Sequence, residues 1–429
     1  MNKISTKELL GRIQDENFSI IDVRPIDAYN GWKIQKESRG GHIKGARTLP
    51  AKWVNYIDWL DIVKSKQIKP DNDLILYGYS KAEAEKVARQ FLKAGYHNIS
   101  VYHQFLPEWI PDTSLPMESL ARHSHLVSAG WLYDLIQTGP APEYNNNKYI
   151  ICHAHYRNRK VYEEGHIPGA VDLDTNSLES PGTWNRRPPE EIKKTLENLG
   201  ITHDTTVILY GKFIFPDNRD PFPGSSAGQL AAFRCAFIMM YAGAKDVRVL
   251  NGGLQSWIDE GFDTTTQETE KRSVQDFGEV IPCCPELAVD ISEAKKILKA
   301  EDKNLVSVRS WREFIGEVSG YHYIEKKGRI PGAVFGNCGS DAYHMENYRN
   351  LDHTTREYHE IENMWAEVGI TPEKQNSFYC GTGWRASEAF FNAWLMGWPR
   401  ISVFDGGWFE WSLDDKNPIE TGNPTRSLS

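Results

Sequence analysis

Cys380 sits at the end of a short strand-like run and is followed by Gly381-Thr382-Gly383-Trp384-Arg385, after which a helical pattern begins at Ala386. Two glycines between a strand and a helix let successive backbone N–H groups converge on one point. The helix N-terminus adds roughly half a positive charge there. A thiol in such a setting loses its proton readily, and the thiolate is the nucleophile. The same cradle would hold a sulfur anion one bond further out, a persulfide Cys–S–S⁻. Arg385 is expected to supply a fixed charge for an anionic donor or acceptor, and Trp384 a pocket wall. Cys380 and Arg385 are therefore the candidate catalytic residues, and Gly381, Thr382, Gly383 and Trp384 the candidate substrate-binding residues.

The other nucleophiles are less well placed. The six cysteines contain no CxxC pair and are too sparse for a disulfide framework. Cys152 and Cys235 fall in apolar patterns and read as core thiols, and Cys283 and Cys284 fall in a linker. Cys338, in AVFGNCGSD, is a candidate relay thiol. The histidines show no metal-ligand spacing, so no metal is expected, and no cofactor beyond the covalent persulfide. His42 and His166 read as turn residues. Arg329 takes the same slot in the last third of the chain, so the loop itself must prepare the thiolate.

The elements that position this loop come in threes. GHIKGA (Gly41 to Ala46), GHIPGA (Gly165 to Ala170) and GRIPGA (Gly328 to Ala333) each follow a buried-strand run: IIDVR, IICHAH and LVSVR. Each precedes a second strand, ending at Gly78, Gly211 and Cys380. From Gly78 to His103 is 25 residues, as from Cys380 to Asp405, whereas from Gly211 to Asn251 is 40. The extra residues belong to the Pro/Gly-rich segment Phe215 to Gly228, expected as a loop that could screen the Cys380 pocket. Short apolar strands alternating with helical patterns predict an α/β fold: three tandem domains, each a mostly parallel sheet flanked by helices. The expected units are 1–118, 119–270 and 271–429. Gly78 and Gly211 at the cysteine position make the first two non-catalytic.

Composition narrows the function. The 429 residues carry a net charge of −9, which leaves no broad positive field for nucleic acid or an anionic membrane. No stretch approaches the ~20 apolar residues of a membrane span. A cytoplasmic monomer is expected, or a periplasmic one if a targeting segment has been removed.

The D-x-R strand, the GHIPGA signature and the cysteine-bearing strand–loop–helix resemble the rhodanese family of sulfurtransferases. SFYCGTGWRASE, SGYHYIEKKGRIPGA and FDGGWFEW further resemble its three-domain members, the thiosulfate sulfurtransferases of enteric bacteria. The resemblance implies that Cys380 takes a sulfane sulfur from a donor such as thiosulfate and passes it to cyanide, a thiol or a protein. The alternative reading is a non-enzymatic persulfide carrier, or a docking platform for a cysteine desulfurase or a sulfur-carrier protein. Related phosphatases carry C-x5-R, and the C-x4-R spacing here is one residue short. Mercaptopyruvate sulfurtransferases carry small neutral residues where Trp384 and Arg385 stand. Two-domain relatives place a donor-anchoring arginine where Glu313 stands here, so Arg309 and Glu313 are expected to brace the fold.

Overall fold

The computed structural model describes residues 2–424 apart from 16, 140 and 215–227. The expected loop of the middle repeat, and its reading as a screen over the pocket, lie outside the described residues. The chain forms two compact units, Met1–Ser124 and His125–Ser429, so the middle and last repeats share one unit.

Each repeat builds a five-stranded parallel sheet with the same order. In the first unit the strands run Asn2–Lys3, Ile99–Val101, Asp73–Tyr77, Phe18–Asp22, Arg47–Thr48. In the second unit the middle repeat gives Leu126–Val127, Asp246–Leu250, Thr206–Tyr210, Tyr149–His155, Ala170–Asp174. The last gives Ala288–Val289, Ile401–Phe404, Gln375–Tyr379, Lys303–Ser307, Val334–Phe335. The central strands are near-continuous apolar runs because helices cover both faces of a parallel sheet. In every repeat the fourth strand in sequence stands at the centre, and the residue after it is Gly78, Gly211 or Cys380.

A tyrosine closes each of these central strands. The Tyr77 and Tyr210 hydroxyls accept the backbone N–H of Ile43 and Ile167, at 3.1 and 2.9 Å, and Tyr379 takes the matching position beside Ile330. The GHI and GRI turns are thereby fixed to the strand before the active position. His42 and His166 stack on Tyr29 and Tyr162 at 3.6 and 3.7 Å, and their Nδ1 atoms hydrogen-bond the carbonyls of those tyrosines. Arg329 in the third turn lies over the Phe314 ring instead and donates to the Gly422 carbonyl.

The helix Gly228–Ala242 of the middle repeat is buried on every side. Its sequence, GQLAAFRCAFIMMYA, has no polar face, as expected of a helix inside a core. It packs on the helix Trp384–Leu395 of the last repeat, with Phe233 against Phe391 and Phe237 against Phe390. Arg349 reinforces this contact by bonding both Glu388 and Gln229. Among the described residues no helix is long and apolar enough to cross a membrane.

Candidate active site

The strand Gln375–Tyr379 delivers Cys380 to the carboxyl edge of the last sheet, where ligands meet parallel sheets. The helix Gly407–Leu413 turns the following loop: Trp408 N–H donates to the Cys380 carbonyl at 2.8 Å and Phe409 N–H to that of Gly381 at 2.9 Å. With these carbonyls held, the opposite faces of the peptides present their N–H groups. None of the N–H groups of residues 381–385 donates to an acceptor among the described residues. Gly383, at φ 89°, ends the loop in the left-handed region and starts the helix Trp384–Leu395. A run of free N–H groups at the head of a 12-residue helix is a cradle for a sulfur anion. The Cys380 side chain at its mouth is fully buried.

Arg385 does not face this cradle. Its two terminal nitrogens donate to the two carboxylate oxygens of Glu313, both at 2.9 Å, and Nη1 also reaches the Asp341 carbonyl at 3.1 Å and Cys338 Sγ at 3.3 Å. Arg385, Glu313 and Cys338 are all fully buried. Glu313 also takes Arg309 Nε at 3.3 Å and closes a capping box with Ser310. Burial alone would push the Glu313 carboxyl up, but Arg385 and Arg309 hold it down, to about 2. The expected bracing pair Arg309–Glu313 is present, and it extends to Arg385. The charge expected to anchor an anionic donor is instead committed to Glu313.

A narrow cleft beside the loop, with a cavity volume of about 30 Å³, is lined by Tyr156, Trp184, Leu230, Tyr321, Tyr323, Ala342, Tyr343, Thr382 and Trp384. No lining residue is charged. Tyr321 and Tyr323 stack at 5.1 Å, Tyr323 stacks on Trp184 at 4.5 Å, and Tyr156 meets Trp384 edge-on at 5.6 Å. Tyr321 packs directly against the cysteine loop: a Cβ on Gly381 would lie 2.3 Å from its ring. Burial, opposed by Arg385 and reinforced by Cys380, holds its phenol far above the ordinary range, so it stands protonated and donates to the Ala342 carbonyl at 3.2 Å. Thr382 interacts with Tyr323.

Three of these wall residues, Tyr156, Trp184 and Leu230, come from the middle repeat. The sequence makes that repeat non-catalytic because it lacks the cysteine, and it offers only the loop from Phe215 to Gly228 as a screen, not these wall residues. The tyrosines in SGYHYIEKK were also left without a role, although three consecutive rings, Tyr321, His322 and Tyr323, shortly before the GRIPGA turn were a usable signal. The middle repeat touches the loop directly as well, because Trp384 Nε1 donates to both oxygens of Glu179, at 3.0 and 3.2 Å.

Cys338, the candidate relay, lies under the loop rather than in the cleft lining. It is fully buried, and burial pushes its thiol up to about 12 in spite of Arg385. A neutral thiol accepting a hydrogen bond from Arg385 is a packing group in this geometry. Cys152 and Cys235 are buried and Cys283 is exposed.

A rhodanese-like domain model matches residues 5–112, 128–260 and 290–414. The thiosulfate sulfurtransferase YnjE of Escherichia coli strain K12 is 41% identical over 417 residues, covering 96% of this chain and 91% of that one. The sulfur carrier protein TtuD of Thermus thermophilus is 31% identical over 268 residues, 61% of this chain and 87% of its own length. Among solved structures, wild-type EanB is 61% identical with a TM-score of 0.97, covering 99% of this chain and 98% of that one. The anaerobic ergothioneine biosynthesis enzyme of Chlorobium limicola, solved with trimethyl histidine, is 60% identical with the same TM-score, covering 99% and 100%.

EanB has also been solved with hercynine, and as a tyrosine-to-phenylalanine variant carrying a cysteine persulfide with ergothioneine. In that protein the substituted tyrosine precedes the persulfide cysteine by 59 residues, and a substituted threonine follows it by two. Tyr321 and Thr382 stand at those spacings from Cys380. Two cysteines replaced by alanine in another EanB complex stand at the spacings of Ser307 and Cys338.

These relatives correct the expected thiosulfate-to-cyanide or thiol transfer, together with its carrier, mercaptopyruvate and phosphatase alternatives. At 60% identity the solved neighbours bind a methylated histidine and its sulfur-bearing product. The cleft is consistent with this, since its lining supplies no charged side chain to anchor a thiosulfate dianion. The transfer of sulfur itself stands, and with three matched domains spread over the chain, the protein belongs to the rhodanese family as a sulfurtransferase.

Proposed function

We propose that this chain moves the outer sulfur of a Cys380 persulfide to the imidazole ring of trimethylated histidine, giving the 2-thiolated product. The observation that carries this reading is the uncharged aromatic cleft beside the cysteine loop. Quaternary ammonium groups have no N–H to donate and are recognised by the faces of aromatic rings, and Trp and Tyr faces dominate here.

In this reading the N–H groups of residues 381–385 hold the persulfide, and the ring carbon between the two imidazole nitrogens is the acceptor. A C–S bond forms to the outer sulfur as the S–S bond breaks, the ring C–H proton is released, and Cys380 departs as a thiolate held by the same N–H groups. The sulfane sulfur is reduced as the ring carbon is oxidised, so no external redox partner enters this half-reaction. Tyr321 and Thr382, beside the sulfur, are placed to hydrogen-bond the ring nitrogens and the developing charge. A sulfane donor then reloads Cys380, giving a two-stage cycle.

The test is incubation of the full chain with inorganic polysulfide and trimethylhistidine, followed by mass spectrometry of both protein and small molecule. A gain of about 32 Da, one sulfur atom, is expected first on the protein and then on trimethylhistidine. A chain that accepts sulfur on Cys380 but leaves trimethylhistidine unchanged would overturn the reading. Plain histidine, lacking the quaternary nitrogen, should react at least about tenfold less efficiently.

A further inference from the structure

Arg234 occupies an unusual position for a side chain outside the cleft lining. It is the sole charged residue of an otherwise uncharged, wholly buried helix, Gly228–Ala242, and it is itself fully buried. Its guanidinium joins three segments. Nε donates to Glu179 at 2.9 Å, Nη2 donates to the Trp184 carbonyl at 2.6 Å, and Nη1 pairs with Asp405 of the last repeat at 2.6 Å. The cradle rests on the same group, since a Cβ on Gly383 would lie 3.0 Å from Arg234 Nη1 and 3.0 Å from the Asp405 carbonyl.

Each partner leads to a working part of the site. Glu179 holds the Trp384 indole. Asp405 also accepts from the Arg186 backbone N–H at 2.8 Å and from its side chain at 3.0 Å, so both repeats converge on one carboxylate. Trp184 is in the left-handed region at φ 57°, which is uncommon for a bulky residue and persists only where its surroundings impose it. Its ring nonetheless stacks on Tyr323 and donates to the Tyr156 hydroxyl at 3.2 Å. The bond from Arg234 to the Trp184 carbonyl is one of the contacts that fix this backbone.

We infer that Arg234 is a positioning residue that sets the distance between the sulfur-bearing loop and the acceptor-binding wall, so that the middle repeat aligns the two reactants. Its planar fork suits this task and a lysine does not, because one ammonium cannot face three acceptors at fixed angles. Misplacing two reactants by about 1 Å can slow a transfer by roughly a hundredfold. This rests on the acceptor reading above.

The experiment compares wild type with Arg234→Lys, each confirmed folded by its melting transition. Two quantities are measured: the rate of sulfur loading on Cys380 by polysulfide, and the KM for trimethylhistidine. Loss of the fork should raise KM about tenfold, through the Trp184 wall, and slow loading about threefold, through Gly383. A purely structural role would lower the melting temperature and leave both values of the folded protein unchanged, and that outcome overturns the inference. If Arg234→Lys does not fold, Glu179→Gln, which keeps the shape but loosens Trp384 and Arg234, should raise KM about threefold. An unchanged KM there overturns it equally. A wild type that loads sulfur without thiolating trimethylhistidine would instead refute the acceptor reading and leave the loading rate to judge Arg234.

Discussion

The turns after Tyr210 and after Tyr379 are built on the same strand, in the same sheet order, and lead into two helices that pack on each other, yet only one can hold a reactive sulfur. Gly211 is pressed against its own repeat: a Cβ there would lie 2.1 Å from the Gly228 carbonyl. Its carbonyl accepts Leu254 N–H much as the Cys380 carbonyl accepts Trp408 N–H. In the last repeat the chain stands clear at that point, the cysteine fits, and the N–H groups of residues 381–385 are free. The middle repeat has therefore lost its chemistry in backbone spacing as well as in residue type, and it contributes rings and a guanidinium to its neighbour instead.

The sharpest way to break this comparison is to remove the one sulfur and offer another. Cys380→Ser should abolish the persulfide mass gain and all turnover, because Cys380 is the thiol that heads the loop of free N–H groups found among the described residues. Persistent sulfur transfer by that variant, followed by intact mass and product analysis, would place the chemistry elsewhere.

Glu313→Gln tests the support beneath the loop. It leaves Arg385 and Arg309 buried without their carboxylate, and a loss of about 3–5 kcal/mol in chemical denaturation is expected. The pH dependence has a defined sign. The folded carboxyl lies at about 2, below its ordinary 4.5, so the stability it contributes is complete above that ordinary value and is lost as pH falls from 4.5 toward 2. The variant should lack this part of the acid transition, and an unchanged acid limb would sink the bracing role.

Gly211→Cys should destabilise the chain by about 2–4 kcal/mol through the clash with Gly228, and it should add no second persulfide. A stable variant that loads two sulfurs would show that the middle turn remains competent. The smallest effect is assigned to His153, which occupies in the middle repeat the strand position of Ser307. Both its ring nitrogens are buried without a hydrogen-bond partner, and burial followed by repulsion from neighbouring His155 and His166 holds it down to about 3. Its contribution is complete above the ordinary 6.5 and fades as pH falls toward 3. His153→Phe should flatten stability between pH 6.5 and 4.5 by about 1–2 kcal/mol, as read from denaturation midpoints at several pH values.

The contrast also explains what could be read from the residues alone. The three repeats, the parallel sheets and the Cys380 cradle follow from local patterns: apolar strands, GHI and GRI turns, and glycines between a strand and a helix. Arg385 was misjudged because a charge at the end of a loop says nothing about a partner 72 residues away, and Glu313 decides its role. The acceptor wall was invisible for the same reason, since Tyr156 and Trp184 meet Tyr323 and Trp384 only after two repeats fold together. The lone arginine within GQLAAFRCAFIMMYA was the one written hint that this helix carries a task beyond packing.

The helix that is apolar all round has an evolutionary implication. A repeat whose inner helix is buried between its own sheet and its neighbour's helix would bare an apolar face if it stood alone, and shortening the gene to its reactive third would expose that seam. The middle copy has no cysteine at the loop position, so its side chains are not held to the chemistry of sulfur transfer, and three of them line the cleft beside the copy that is. Substitutions that alter substrate preference in such proteins should therefore accumulate in the repeat that has no cysteine.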